Sequence, residues 1–279
     1  MRQPQVQAYL AEKVIGLLNT YGMEYLKVDY NETIGIGCDG LESQGEGLRQ
    51  QIEASMDFFR RIHRELPELV IEICSSGGHR LVPSFLELAS MASFSDAHEC
   101  DEIPIIAGNM HRIILPRQSQ IWAVLQAEHS LSRLYYRMTG TMLGRMCISG
   151  DIGGLSGEQW KVVQEGMDFY NRVSFIIDVG KTTFQGPRIG SYRNPKGWQA
   201  VIRQNGHQLL IVFHSFHEAP DSVRLEVPKN YEITGSYHKE EIAACIRRGE
   251  LVINGIGTLD GAAFFLERKG GAQDETREL

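Results

Sequence analysis

From the N-terminus to about residue 178, short β-rich runs alternate with longer segments whose apolar residues recur at helical spacing; beyond residue 196 the repeat falls to two. That change of period constrains the fold more than any other feature. Strands separated by helices need crossover connections and therefore lie parallel, whereas period-two runs joined by tight turns build antiparallel sheets. One chain must hold both architectures.

In the first part, "QAYLAEKVIGLLNTYG" reads as a helix stopped at Gly22, and "MEYLKVDY" as a strand. "GLRQQIEASMDFFRRIHREL" is an amphipathic helix closed by Pro67, followed by the strand "LVIEIC" and the helix "PSFLELASM", which opens on proline. "ASFSDA" reads as a short strand, and "IPIIAGNMHRIIL" as a helix running into a strand around Ile113 to Leu115. "EHSLSRLYYRMTGTML", "GRMCIS" and "SGEQWKVVQEGMDFYNRV" complete a helix, a strand and a helix. The stretch "DVGKTTFQGPRIGSYRNPKG" then loses the helical period and gathers Gly and Pro. Past it, Asn205-Gly206 between two β-rich runs signals a type I′ hairpin, and "VRLEVP", "YEITGSY", "GELVING" and "AAFFLERK" add strands. The expected partition is an α/β domain over 1–180, a linker over 181–195, an antiparallel β-sandwich over 196–270 and a disordered tail over 271–279.

Composition excludes several classes of function. At 279 residues with a net charge of −7, the chain is globular and unsuited to general binding of nucleic acid or anionic membrane. Arg112, Arg117, Arg133 and Arg137 read as coats of solvated helix faces. No segment approaches the roughly 18 uninterrupted apolar residues of a membrane span, and the first residues are too polar for a secretory signal. Five scattered cysteines, an odd number, suit reduced thiols in a cytoplasm.

Three constellations could carry chemistry. In "YLKVDYNE", Lys27, Asp29 and Asn31 alternate along one face of a strand, and at the C-terminal end of a parallel-barrel strand that face opens into an active site. The residues admit two readings, a buried ion pair or a carboxylate held ionised by its neighbouring ammonium. In "EICSSGGHR", a strand ends at Cys74 and enters a glycine turn. The turn is a tight strand-to-helix connection, or a loop whose Gly77 lets a ligand approach while Arg80 offers a forked donor. Cys74 as a nucleophile with His79 or His98 as base is a further reading of the same loop. In "SFSDAHECDE", Asp96 stands at a strand end, while His98 to Glu102 read as a solvated acidic loop because the HExxH pattern fails at Glu102. No metal or cofactor is expected. "GIGCDG" matches a dinucleotide-binding fingerprint in its glycines only, since "NETI" separates it from the strand.

Taken together, "KVDYN", "CSSGGHR" and "FSDAHE" resemble the strand-four, strand-five and strand-six motifs of glycoside hydrolase family 36, the microbial α-galactosidases. The resemblance implies a partial (β/α)8 barrel, strands four to eight, followed by a C-terminal β-sandwich. It assigns Asp29 as nucleophile and Asp96 as general acid/base of a retaining reaction, with Lys27, Asn31, Cys74, Gly77 and Arg80 lining the sugar pocket and Lys27 keeping the nucleophile charged. It implies α-galactoside oligosaccharides of the raffinose and melibiose class as partners, and homo-oligomers for the full-length form. Galactosyl transfer, α-N-acetylgalactosaminidase activity and a non-catalytic carbohydrate-binding or assembly remnant are alternatives within the same resemblance. The family often has tryptophan three positions before the acid/base; here that position is Ser93. With five strands where a barrel has eight, a truncated form that is weakly active or inactive on its own is expected.

Overall fold

The computed structural model of the chain describes residues 1–29 and 38–270. It falls into two compact units, Met1–Ala97 and His98–Leu279.

The first unit alternates α1 (Pro4–Tyr21), β1 (Tyr25–Val28), α2 (Gln44–Glu65), β2 (Val70–Ile73), α3 (Pro83–Leu86) and β3 (Met91–Ser93). Local chemistry sets the boundaries. Pro4 opens α1, where its missing N–H costs nothing, and Gly22 closes it at φ 61°, a left-handed conformation that favours glycine. The Ser43 side chain caps α2 by accepting the Glu46 N–H. Phe58, Phe59 and Ile62 of α2 are buried. Strand β1 pairs parallel with β2, Lys27 opposite Glu72, and β2 pairs parallel with β3. Because the three strands are parallel, their C-terminal ends carry Asp29, Cys74 to Arg80 and Ser95–Asp96 out of the same edge. α3 is shorter than "PSFLELASM" suggested, a single turn.

The second unit begins with α4 (Ile103–Met110), β4 (Ser119–Leu125), α5 (Leu131–Thr141), β5 (Arg145–Gly150) and α6 (Gly157–Val179). The expected strand at Ile113 to Leu115 is not formed. The N–H groups of Ile113 and Ile114 return to the Met110 carbonyl, and Pro116 follows, so this segment is a turn. The strand is β4, parallel to β5 with Gln120 opposite Arg145. Arg137 is also unlike its sequence reading. It is buried and donates to the carbonyls of His98 and Cys100 rather than coating a solvated face. Arg133 pairs with Asp101.

The antiparallel part adds β6 (Lys181–Gln185), β7 (Trp198–Asn205), β8 (Gln208–Ser215), β9 (Ser222–Glu226), β10 (Tyr231–Tyr237), β11 (Ala243–Arg247), β12 (Glu250–Asn254) and β13 (Gly261–Arg268). They form two sheets, β10-β13-β8-β7-β6 and β11-β12-β9. The core between them includes Ile211 and Phe213 of β8, Phe264 of β13, Leu225 of β9 and Ile253 of β12. The Asn205-Gly206 hairpin forms as the sequence indicates, with Asn205 opposite Gln208 and Gly206 at φ 54°. Strands β6 and β11 were not anticipated. β6 lies in the stretch read as linker, where loss of the helical period marks entry into a strand paired with β7.

Helices and sandwich pack together in this unit. Gly261 lies so close to α5 that a Cβ would stand 2.8 Å from the Thr139 Cβ. The Tyr237 hydroxyl donates to the Val162 carbonyl, and the Gln199 amide to that of Pro104. Arg203 of β7 is buried against the C-terminus of α6, donating to the carbonyls of Ile176 and Gly180 and to the Thr182 hydroxyl. Burial pushes its pKa down to about 10, and the helix dipole there favours a cation. Among the described residues, no helix is long and apolar enough to cross a membrane.

Candidate functional site

The strand ends of the first unit meet at a strained corner. Ser75, Ser76, Gly77 and Gly78 have φ values of 110°, 47°, 63° and 116°, four successive residues in a region that L side chains avoid. The corner holds that shape because it is packed from behind. A Cβ on Gly77 would stand 2.5 Å from the Asp96 nitrogen and 2.6 Å from the Ser95 Cα. The close backbone approach that Gly77 permits is therefore to the chain carrying Asp96.

Both candidate carboxylates lie against this corner. The Ser75 N–H donates to Asp29 Oδ1 at 3.2 Å, and the Cys74 thiol lies 3.9 Å from Asp96 Oδ1. Asp29 and Asp96 are exposed, whereas Cys74, Ser75 and Arg80 are buried. Two adjacent residues thus tie together two carboxylates that are 67 positions apart in sequence, both open to whatever enters from solvent. Asn31 lies outside the described residues, as do Gly35 and Gly37 of "GIGCDG" and the tail 271–279.

Lys27 has a partner that the sequence reading did not name. Its ammonium pairs with Glu72 at 3.2 Å, and the same carboxylate accepts the Tyr25 hydroxyl. Burial works to lower the lysine pKa, but the Glu72 carboxylate, helped by Cys74 and Asp29, outweighs it and the net direction is upward. Glu72 is the polar residue that sequence reasoning passed over. Its signal was present in "EIC": an acidic residue two positions before Cys74 shares its face, in a run that otherwise reads as buried strand.

The segment after Asp96 is more ordered than a solvated acidic loop. His98 is fully buried, its Nδ1 accepts the Trp122 N–H at 3.0 Å, and its ring stacks on that indole with centroids 4.7 Å apart. That nitrogen is thereby committed to a backbone donor. His79 is exposed. Ser93 is buried, and its hydroxyl donates to the Ser95 carbonyl, so it braces the approach to Asp96 and presents no wall to a ligand.

Comparison with known proteins bears on the family and the fold. Residues 1–180 match the family model described as melibiase. The α-galactosidase AgaA of glycoside hydrolase family 36 from Geobacillus stearothermophilus, in complex with 1-deoxygalactonojirimycin, superposes with a TM-score of 0.76 at 19% identity, over 96% of this chain and 38% of that one. A raffinose complex of the same enzyme gives 0.74 at 18% identity over the same shares. The α-galactosidase from Lactobacillus brevis gives 0.74 at 15%, again over 96% and 38%. At these identities the likeness is one of fold: parallel α/β strands of a partial barrel followed by antiparallel sheets. The chain spans 38% of the length of these relatives. No curated protein matches it.

Proposed function

The chain belongs to the melibiase family, and on that footing we propose that it carries the reacting carboxylates of a retaining α-galactosidase acting on terminal α-linked galactose in oligosaccharides of the raffinose and melibiose class. The observation that carries the proposal is the Cys74–Ser75 corner, with Asp29 on the Ser75 N–H and Asp96 beside the Cys74 thiol. Retaining enzymes need two carboxyl groups about 5–5.5 Å apart flanking the scissile bond, and a shared corner is a way to keep such a pair in register.

In the first step an Asp29 oxygen attacks the anomeric carbon as its bond to the glycosidic oxygen breaks, and protonated Asp96 gives its proton to that leaving oxygen. In the second step Asp96 takes a proton from water, the water oxygen attacks the anomeric carbon, and the bond to Asp29 breaks with net retention. The Ser75 N–H engages Oδ1 of Asp29, which orients the carboxylate. Lys27, Asn31 and Arg80 supply donors for sugar hydroxyls, and Gly77 lets the corner sit close to the chain of Asp96. Raffinose is bound by one structural relative and stachyose by another form of it, which supports the substrate class. The domain partition at residues 180 and 196 belongs to this reading, as does a cytoplasmic setting that keeps the thiol beside Asp96 reduced.

Incubation with a mechanism-based galactosyl inhibitor followed by mass spectrometry tests the assignment. A single galactosyl adduct on the parent chain, absent in Asp29→Ala, is expected. An Asp29→Ala chain that labels like the parent would remove the nucleophile from this scheme, and release of the β-anomer from an aryl α-galactoside would contradict retention.

A further inference from the structure

Behind Lys27 lies a carboxylate that this reaction does not use. Glu72 faces Lys27 across the parallel pair β1–β2. Its oxygens meet both of these β1 side chains: Oε1 lies 3.2 Å from the Lys27 ammonium, and Oε2 accepts the Tyr25 hydroxyl. The side chains differ sharply in exposure, 2% for Glu72 and 32% for Lys27. The carboxylate is thus an internal anchor, and the ammonium is the end that reaches the open side where Asp29 also lies.

We infer that Glu72 is a positioning residue for Lys27, holding its ammonium back from Asp29 so that the nucleophile keeps its free lone pairs and the lysine N–H groups face the hydroxyls of the bound galactose. Burying a carboxylate is expensive, and an apolar residue of similar volume would serve a purely structural strand at least as well. Among the described residues, the groups that act on the ammonium come from both strands and include Glu72 and Cys74 from β2 and the corner after it and Asp29 from the end of its own strand. Tyr25, two residues earlier on β1, fixes the carboxylate from the other side. Without Glu72 the nearest remaining carboxylate among these is Asp29, and an ammonium clamped on the nucleophile would compete with its attack on the anomeric carbon. The choice of sugar hydroxyls as the lysine's target rests on the galactosidase reading; the anchoring of Lys27 by Glu72 does not.

The test is Glu72→Gln in the full chain, which keeps the shape and an acceptor for Tyr25 but removes the charge. Two readouts are taken. The first is the Lys27 ammonium, followed by side-chain 15N NMR against pH: the parent titrates above an ordinary lysine, and in Glu72→Gln the midpoint is expected to move down. The second is hydrolysis of an aryl α-galactoside, where kcat/KM is expected to fall on the order of tenfold to a hundredfold, as misplacement of a binding group by about 1 Å does, with the alkaline limb of the profile shifted toward lower pH. Glu72→Asp should recover part of both. If Glu72→Gln does not fold, Tyr25→Phe, which removes one donor to the carboxylate, should move both readouts in the same direction by less. An unchanged Lys27 titration overturns the inference, and so does a variant that melts earlier while keeping the parent's KM and pH profile. A parent chain that leaves the galactoside intact overturns the galactosidase reading, and the lysine titration then still decides whether Glu72 holds the ammonium.

Discussion

His214 of β8 should make this protein acid-sensitive in a way that one substitution removes. The residue is fully buried, and its ring meets that of Tyr136 edge-on with centroids 5.2 Å apart. Burial pushes its pKa down to about 3, with the Tyr136 backbone opposing weakly. In the unfolded chain the imidazole titrates near its ordinary value, about 6.5. Below that pH the unfolded chain takes up a proton that the folded chain refuses, so stability is full above about 6.5 and declines as pH falls toward the folded value. At about 1.4 kcal/mol per pH unit, the loss between pH 6.5 and 4.5 is about 2.5 kcal/mol from this one ring. His214→Phe keeps an aromatic ring against Tyr136 and removes the titration. Urea unfolding followed by tryptophan fluorescence at pH 7.5 and pH 4.5 measures the difference. Other groups titrate in both proteins and cancel. The reasoning is refuted if parent and variant lose the same free energy between the two conditions.

Other perturbations address the corner and the helix ends. Gly77→Ala would place a Cβ 2.5 Å from the Asp96 nitrogen at a φ of 63°; kcat/KM on an aryl α-galactoside should drop on the order of a hundredfold with the circular dichroism spectrum retained. His111, whose Nε2 meets the Leu143 carbonyl at 2.6 Å and whose pKa burial lowers to about 4, should act like His214: replacing it with Asn should flatten the loss of stability between pH 6.5 and 4.5 in the same urea assay. Arg203→Met takes the guanidinium donors from the Gly180 carbonyl and the Thr182 hydroxyl and leaves the Ile176 carbonyl with the Gly180 N–H alone, and should cost about 2–4 kcal/mol of unfolding free energy. Ser156→Ala removes the capping box that Ser156 and Gln159 form at the start of α6, and should cost about 1 kcal/mol in the same measurement.

Legibility followed the range of the interactions involved. The end of α1 was readable because Gly22 acts on neighbours a few residues away, whereas α2 starts at Gln44 under the Ser43 cap, earlier than the Gly47 at which the sequence run begins. The Asn205-Gly206 hairpin was readable because the turn chemistry is contained in two residues. β4 was missed because a parallel strand covered on both faces loses the alternation that marks a strand, while the apolar run at Ile113 to Leu115 imitated one. Arg137 was misread because nothing in "LYYRMTG" tells that carbonyls of His98 and Cys100 lie waiting for its guanidinium.

The residues alone determined the class of architecture, the order of the parallel and antiparallel parts, and which side chains could do chemistry, because period, turn residues and strand alternation are local quantities. Tertiary structure decided who partners whom. Lys27 meets Glu72 because the parallel register sets those two side by side. Gly77 makes room for the backbone of Asp96, and Cys74 and Ser75 gather carboxylates from distant strands, because chain segments far apart in sequence converge at one sheet edge. A register and a convergence are properties of pairs of segments, and no single segment encodes either.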